Sequence, residues 1–179
     1  MTDEELMNLV NNDDLKQLGV LFDRYQVKLY NYFIRVTNNT NLSEDLVQVV
    51  FERIIKSRNS YKGTGSFKGW IFRIARNAMM DHFKSRKIKV NENISVDSLD
   101  MVDDQSHNDR EVIEENKKKL RAAMNQLKEE HREILVLTRY ENLNYKEAAS
   151  VIGLTENAVK ARVFRALRSL RELYFNKAS

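Results

Sequence analysis

The chain has 179 residues, 42 % of them hydrophobic, a mean hydropathy of −0.58 and a net charge of +4, which suits one domain or two small ones. It has no cysteine, so disulfides, thiolate metal sites and cysteine nucleophiles are excluded. No apolar run approaches the roughly 20 residues of a membrane span, and the acidic opening MTDEELMNLVNNDD does not read as a signal peptide; a cytoplasmic protein without membrane insertion is expected.

Proline is absent, helix formers dominate, and apolar residues recur at three and four, so the fold class expected is all-α. Leu15 to about Val36 makes one or two helices, with Leu18, Leu21, Phe22, Tyr25, Leu29 and Phe33 at helical spacing. TNNTN (37–41) reads as a loop. Ser43 reads as an N-cap with Glu44 and Asp45 in the first turn, opening a helix to about Ser57. A glycine-rich loop, YKGTGSF, leads into a long helix from about Phe67 to Ile88.

Charge is distributed in blocks. Residues 62–89 carry eight Lys/Arg against one acid, and residues 91–115 carry nine Asp/Glu against one Arg. Such blocks suggest a polyanion-binding surface followed by a solvated tract. The organisation expected is therefore two small helical domains, 1–88 and 113–179, joined by a flexible acidic linker, 89–112. In the second, helices resume near Glu111, cover Leu120 to Leu127, and run from about Glu129 to Asn142.

The last segment, LNYKEAASVIGLTENAVKARVFRALRSLREL (143–173), is the most specific. Asn144 and Glu147 have capping-box spacing, and Ala148, Ala149 and Ile152 supply a buried side. Gly153 stands where a left-handed residue is needed, Leu154 plugs the corner, and Thr155 caps the next helix. This is the pattern of a helix-turn-helix. On the final helix Val159, Val163, Ala166, Leu167 and Leu170 form an apolar stripe, while Lys160, Arg162, Arg165, Arg168 and Arg171 fan over the rest. A merely solvated face would not need so uniform a sign. Early residues of such a helix reach base edges in the major groove, and later ones meet phosphates.

The helix from Phe67 has a core stripe of Phe67, Ile71, Ile74, Ala75 and Ala78. A second strip holds Trp70, Arg73, Asn77, Met80, Asp81 and Lys84. Trp70 either completes the core or stacks on an unpaired base beside a basic track, as single-strand binders do. On the helix 43–57, Leu46, Val47, Val50 and Ile54 read as core, while Asp45, Gln48 and Glu52 project elsewhere. His82, His107 and His131 lie in different elements without metal-ligand spacing, and GTGSFKG lacks the order of a phosphate-binding loop. Neither a catalytic site, a metal nor a cofactor is expected.

Three stretches, LSEDLVQVVFERIIKS (42–57), SFKGWIFRIARNAMMDHFKSRK (66–87) and the terminal helix-turn-helix, resemble the bacterial RNA polymerase sigma factors of the extracytoplasmic-function (ECF, group IV) subfamily of the sigma-70 family. The resemblance covers nearly the whole chain, with the motifs in family order. It implies that Asp45, Leu46, Gln48, Phe51 and Glu52 dock the β′ clamp helices of core polymerase, with the β flap as a second contact. It implies that Lys62, Ser66, Lys68, Trp70, Arg73, Arg76, Asn77 and Lys84 open and hold the −10 element as single strands. Lys160, Arg162, Phe164, Arg165 and Arg168 would read the duplex −35 element. An anti-sigma factor is a further expected partner, and the acidic linker would thread toward the RNA exit path. Three positions depart from the family pattern: Val49 for an acid, Lys128 for a proline, and Ala161 for Ser/Thr.

Two rival readings remain at this level. A stand-alone helix-turn-helix regulator would bind duplex DNA without polymerase. An enzyme, such as a metal hydrolase using Asp81 and His82, would need ligand spacing that the sequence lacks.

Overall fold

Local capping signals set most of the helix boundaries in the computed structural model, which describes residues 1–90 and 109–176. Helix α1 (Asp3–Asn11) begins at a full capping box, the Thr2 side chain accepting from Glu5 N–H while Glu5 accepts from Thr2 N–H at 2.7 Å. It buries Leu6, Met7 and Val10. Apolar spacing predicts a first helix only from Leu15, although Thr2-x-x-Glu5 carries the start signature of α1.

Helix α2 (Lys16–Thr37) is one continuous helix that ends on Asn38 in the left-handed region, φ 52°. Helix α3 (Thr40–Ser57) follows at once, capped by Asn39, whose side chain accepts from Leu42 N–H at 2.9 Å. This corrects two expectations. Most of the supposed loop 37–41 is helical, and Ser43 is not the cap. Ser43 is buried within the helix, its hydroxyl donating to Asn39 C=O at 2.6 Å. Glu44 and Asp45 therefore sit beyond the first residues of α3. Asn takes both roles here, as left-handed C-cap and as N-cap, which is why the connection is so short.

A short 3-10 turn (Arg58–Ser60) and the glycine loop connect to helix α4 (Phe67–Val90). Gly63 and Gly65 adopt φ of 68° and 92°, values that turn the chain at little cost only in glycine. Ser66 Oγ accepts from Gly69 N–H at 2.9 Å, and Glu4 of α1 accepts from Phe67 N–H at 2.9 Å. Two of the orphan amides at the start of α4 are thereby satisfied.

Helix α5 (Asp109–Gln126) begins within the span read as linker, and α4 runs two residues into it. The rest of the acidic tract, with His107, lies outside the described residues. Helix α6 (Glu129–Leu135) continues through a π turn (Val136–Tyr140). Lys128, standing where the family carries proline, adopts φ −54° and ψ 142° ahead of α6, the backbone geometry that a proline would favour.

Helix α7 (Tyr145–Ile152) and helix α8 (Glu156–Asn176) form the expected helix-turn-helix. Asn144 and Glu147 make the capping box with both bonds at 2.9 Å, Gly153 has φ 72°, and Thr155 Oγ1 accepts from Ala158 N–H. Asn144→Ala is expected to lower stability by about 1 kcal/mol through loss of this cap. Urea denaturation checks it, and an unchanged midpoint would show that the cap contributes nothing.

The core is continuous across the chain. Tyr25, Leu29, Tyr32, Phe33, Val50, Ile54, Phe67, Ile71 and Phe72 are buried in the first half, and Ile134, Leu137, Ala148, Val151, Val159 and Val163 in the second. These residues belong to one cluster. The two domains pack directly on each other, α7 lying against α4 while α6 and the π turn meet α2.

Candidate nucleic-acid interface

Three surfaces gather the residues singled out above. The first is α8. The stripe Val159, Val163 and Ala166 is buried, whereas Leu167 is 40 % exposed and so stands outside the core. Lys160, Phe164, Arg165 and Arg168 are exposed. Lys160 and Arg168 are held in line by Glu156 and Glu172, one turn away at 3.8 and 3.3 Å. Arg162 is half-buried and turns back to Glu130 at 3.5 Å, so it is committed to α6 more than to the outer face. Phe164 is 71 % exposed. Neighbouring cations with an aromatic suit both guanine edges and a thymine methyl.

The second surface is the glycine loop with α4. Arg73, Asn77 and Lys84 are exposed along one side, with Met80 half-buried among them, and Lys62 stands in the loop. Four other members of the implied set have duties inside the protein. Trp70 is 8 % exposed, its ring 5.2 Å from Tyr61 and 5.7 Å from Phe67. The exposed strip therefore excludes Trp70, because the loop folds Tyr61 back over the start of α4. Ser66 caps that helix. Lys68 lies where the two domains meet; burial and Lys28 lower its pKa, against the pull of Glu141 and Glu147. Arg76 donates to Glu133 of α6 at 2.8 Å. Asp81 pairs with Arg53 at 2.9 Å, and burial with Arg86 lowers the pKa of His82.

The third surface is α3. Asp45, Gln48 and Glu52 are exposed on one face at helical spacing. Leu46 and Phe51 are buried, Phe51 packing edge-on against Phe22 at 4.8 Å. The apolar members of the motif hold α3 to α2, and its polar members face outward. Val49 is half-buried against the core.

Sequence reasoning missed the network between the domains. Glu133 is buried, and the same oxygen accepts from Tyr32 Oη at 3.0 Å and Arg76 Nε at 2.8 Å. Burial, with Glu133 alongside, raises the Tyr32 pKa well above its ordinary value, so the phenol stays a donor. Arg35 of α2 lies over the Tyr140 ring at 4.5 Å and 3.8 Å from Glu141. Burial raises the Glu141 pKa, with Arg35, Lys68 and Lys28 opposing. The only available sequence signal was Glu133 itself, an acid flanked by the apolar run Ile134–Leu137.

The family model for Sigma-70 region 2 matches residues 21–88, and that for Sigma-70, region 4 matches residues 117–170. The ECF RNA polymerase sigma factor SigM of Bacillus subtilis is 31 % identical over 86 % of this chain and 93 % of its own length. SigX of the same organism is 27 % identical over 86 % and 81 %. Among solved structures, CnrH in complex with the cytosolic domain of CnrY superposes with a TM-score of 0.73 at 22 % identity, covering 99 % of both chains. The sigma factor RpoE of Bartonella quintana, in complex with the anti-sigma factor NepR, gives 0.74 at 24 % identity, covering 88 % of this chain and 96 % of that one. The two structures share the fold, and the two matched regions correspond to the α2–α4 and α5–α8 halves of the chain. The chain belongs to the ECF RNA polymerase sigma factors of the sigma-70 family.

Proposed function

We infer that this chain directs core RNA polymerase to promoters bearing −35 and −10 elements and holds the melted −10 strand during initiation, working in the cytoplasm without chemistry of its own. The observation that carries this reading is the presence, in one chain, of a capped helix-turn-helix with an outward cationic helix and a separate basic helix behind a left-handed glycine loop. Duplex readout falls to Lys160, Phe164, Arg165 and Arg168. Unpaired DNA falls to Lys62, Arg73, Asn77 and Lys84, and polymerase docking to Asp45, Gln48 and Glu52. Binding energy for bases held outside the stack offsets an unpairing cost of about a few kcal/mol. An anti-sigma partner is part of the proposal, by likeness to the relative solved with one.

Run-off transcription with purified core polymerase on genomic DNA, with start sites mapped, tests the reading. New start sites that depend on the chain are expected; none would leave the stand-alone regulator as the better account. Within that assay Arg165→Ala is expected to weaken −35-dependent initiation, a base contact being worth about 1–3 kcal/mol. Unchanged transcription from the mapped promoter would remove the α8 face from DNA recognition.

A further inference from the structure

Helix α1 precedes residue 21, where the region 2 match begins, yet it holds both ends of the glycine loop. Glu4 Oε1 accepts from Phe67 N–H at 2.9 Å, where the loop enters α4. Asn11 Nδ2 donates to Tyr61 C=O at 3.2 Å, where the loop leaves the 3-10 turn. Asn8 lies between them, its Oδ1 3.9 Å from where a Cβ on Gly63 would stand. Positions 4, 8 and 11 follow i, i+4, i+7 spacing, so they share one face of α1 over roughly 10 Å, at about 1.5 Å per residue. The neighbouring face is apolar, with Leu6, Met7 and Val10 buried in the core. The helix is fixed to the core through one face and grips the loop with another.

The loop needs that outside grip. Residues 62–65 are exposed, and among the described residues no hydrogen bond reaches their backbone. Gly63 and Gly65 turn the chain, but glycine also has the most conformational freedom to lose when a loop is ordered. A loop that presents Lys62 to unpaired DNA binds better when this freedom is removed beforehand. Asn11 buries its Oδ1 without a hydrogen-bond partner among the described residues. An orphaned buried acceptor is destabilising, and such local costs concentrate where a group is held for function. The amide is held for its donor side, against Tyr61. We propose that α1 is a cradle that presets the glycine loop for the unpaired −10 strand, with Glu4 and Asn11 as its positioning residues. Both act through the loop backbone and not by touching DNA. The proposal rests on the promoter-opening function inferred above and adds to it a helix that lies ahead of the matched region.

Limited trypsin digestion of the full-length chain, with nicking after Lys62 followed by mass spectrometry, reads the loop directly and needs no polymerase. The E4A/N11A variant is expected to be nicked about tenfold faster than wild type, since exposed loops are cut in proportion to their open population. With core polymerase on the mapped promoter, the same variant should protect the −35 element as wild type does. Permanganate reactivity of the −10 thymines should fall about tenfold. A merely structural loss would lower −35 protection and −10 reactivity together. Glu4→Gln keeps an acceptor for Phe67 N–H and should retain −10 opening that Glu4→Ala loses. The proposal is overturned if nicking keeps its wild-type rate, if −10 reactivity is unchanged, if −35 protection falls equally, or if Glu4→Gln behaves like Glu4→Ala. Should E4A/N11A lose its fold by circular dichroism, Asn11→Asp, which replaces the donor by an acceptor of the same shape, carries the same expectations. Should the wild-type chain open no promoter, the functional reading falls, while the nicking rates still decide whether α1 holds the loop.

Discussion

Trp70→Ala is expected to unfold the first domain before it alters promoter opening. The indole is nearly inaccessible and packs within an aromatic group of Tyr25, Tyr61 and Phe67, with ring centroids 5.2 to 5.8 Å apart. Truncating a buried aromatic costs about 3–5 kcal/mol through lost transfer energy and the cavity left behind. That is a large fraction of the roughly 5–15 kcal/mol that stabilises a domain. The glycine loop would suffer with it, since Tyr61 anchors the loop's first residue against Trp70. Trp70→Phe keeps an aromatic body in the same place and should retain both fold and activity. Urea denaturation of both variants, with permanganate reactivity of −10 thymines, separates the roles. An alanine variant with a wild-type midpoint and lost reactivity would return Trp70 to DNA stacking and overturn its assignment to the core.

Trp70 also shows what the sequence could and could not carry. Helical spacing placed it beside Arg73 and Asn77 on one strip, and periodicity alone cannot say that a loop will fold an aromatic over one end of that strip. The same limit explains Leu46 and Phe51, whose motif positions are legible but whose burial depends on α2 packing opposite. Strictly local features were read well: the Asn144–Glu147 box, the Gly153 turn, the Thr155 cap and the α4 core stripe depend on residues within a few positions of each other. Ser43 failed for a related reason, because a better cap, Asn39, lay four residues earlier in what resembled a loop. The Glu133–Tyr32–Arg76 network was invisible because its members are 57 and 101 residues apart in sequence. Pairing at that range follows from tertiary packing that no local pattern encodes.

Reversing Asp45 and Glu52 together to arginine is expected to abolish polymerase association while leaving the fold intact. Both carboxylates are exposed on α3, a helix whose buried side is complete without them. Surface substitutions of this kind usually change stability by less than about 0.5 kcal/mol. At an interface the balance differs. A carboxylate that meets a complementary cation gives orientation and encounter rate, and like charge in its place is repulsive. Interface positions of real consequence cost about 2 kcal/mol or more, some thirtyfold in affinity, and two reversals on one face compound that loss. Gln48 between them contributes no charge, so Gln48→Ala should give a smaller loss. Competition for core polymerase against a labelled wild-type chain measures all three. An affinity unchanged by the double reversal would move polymerase docking off α3.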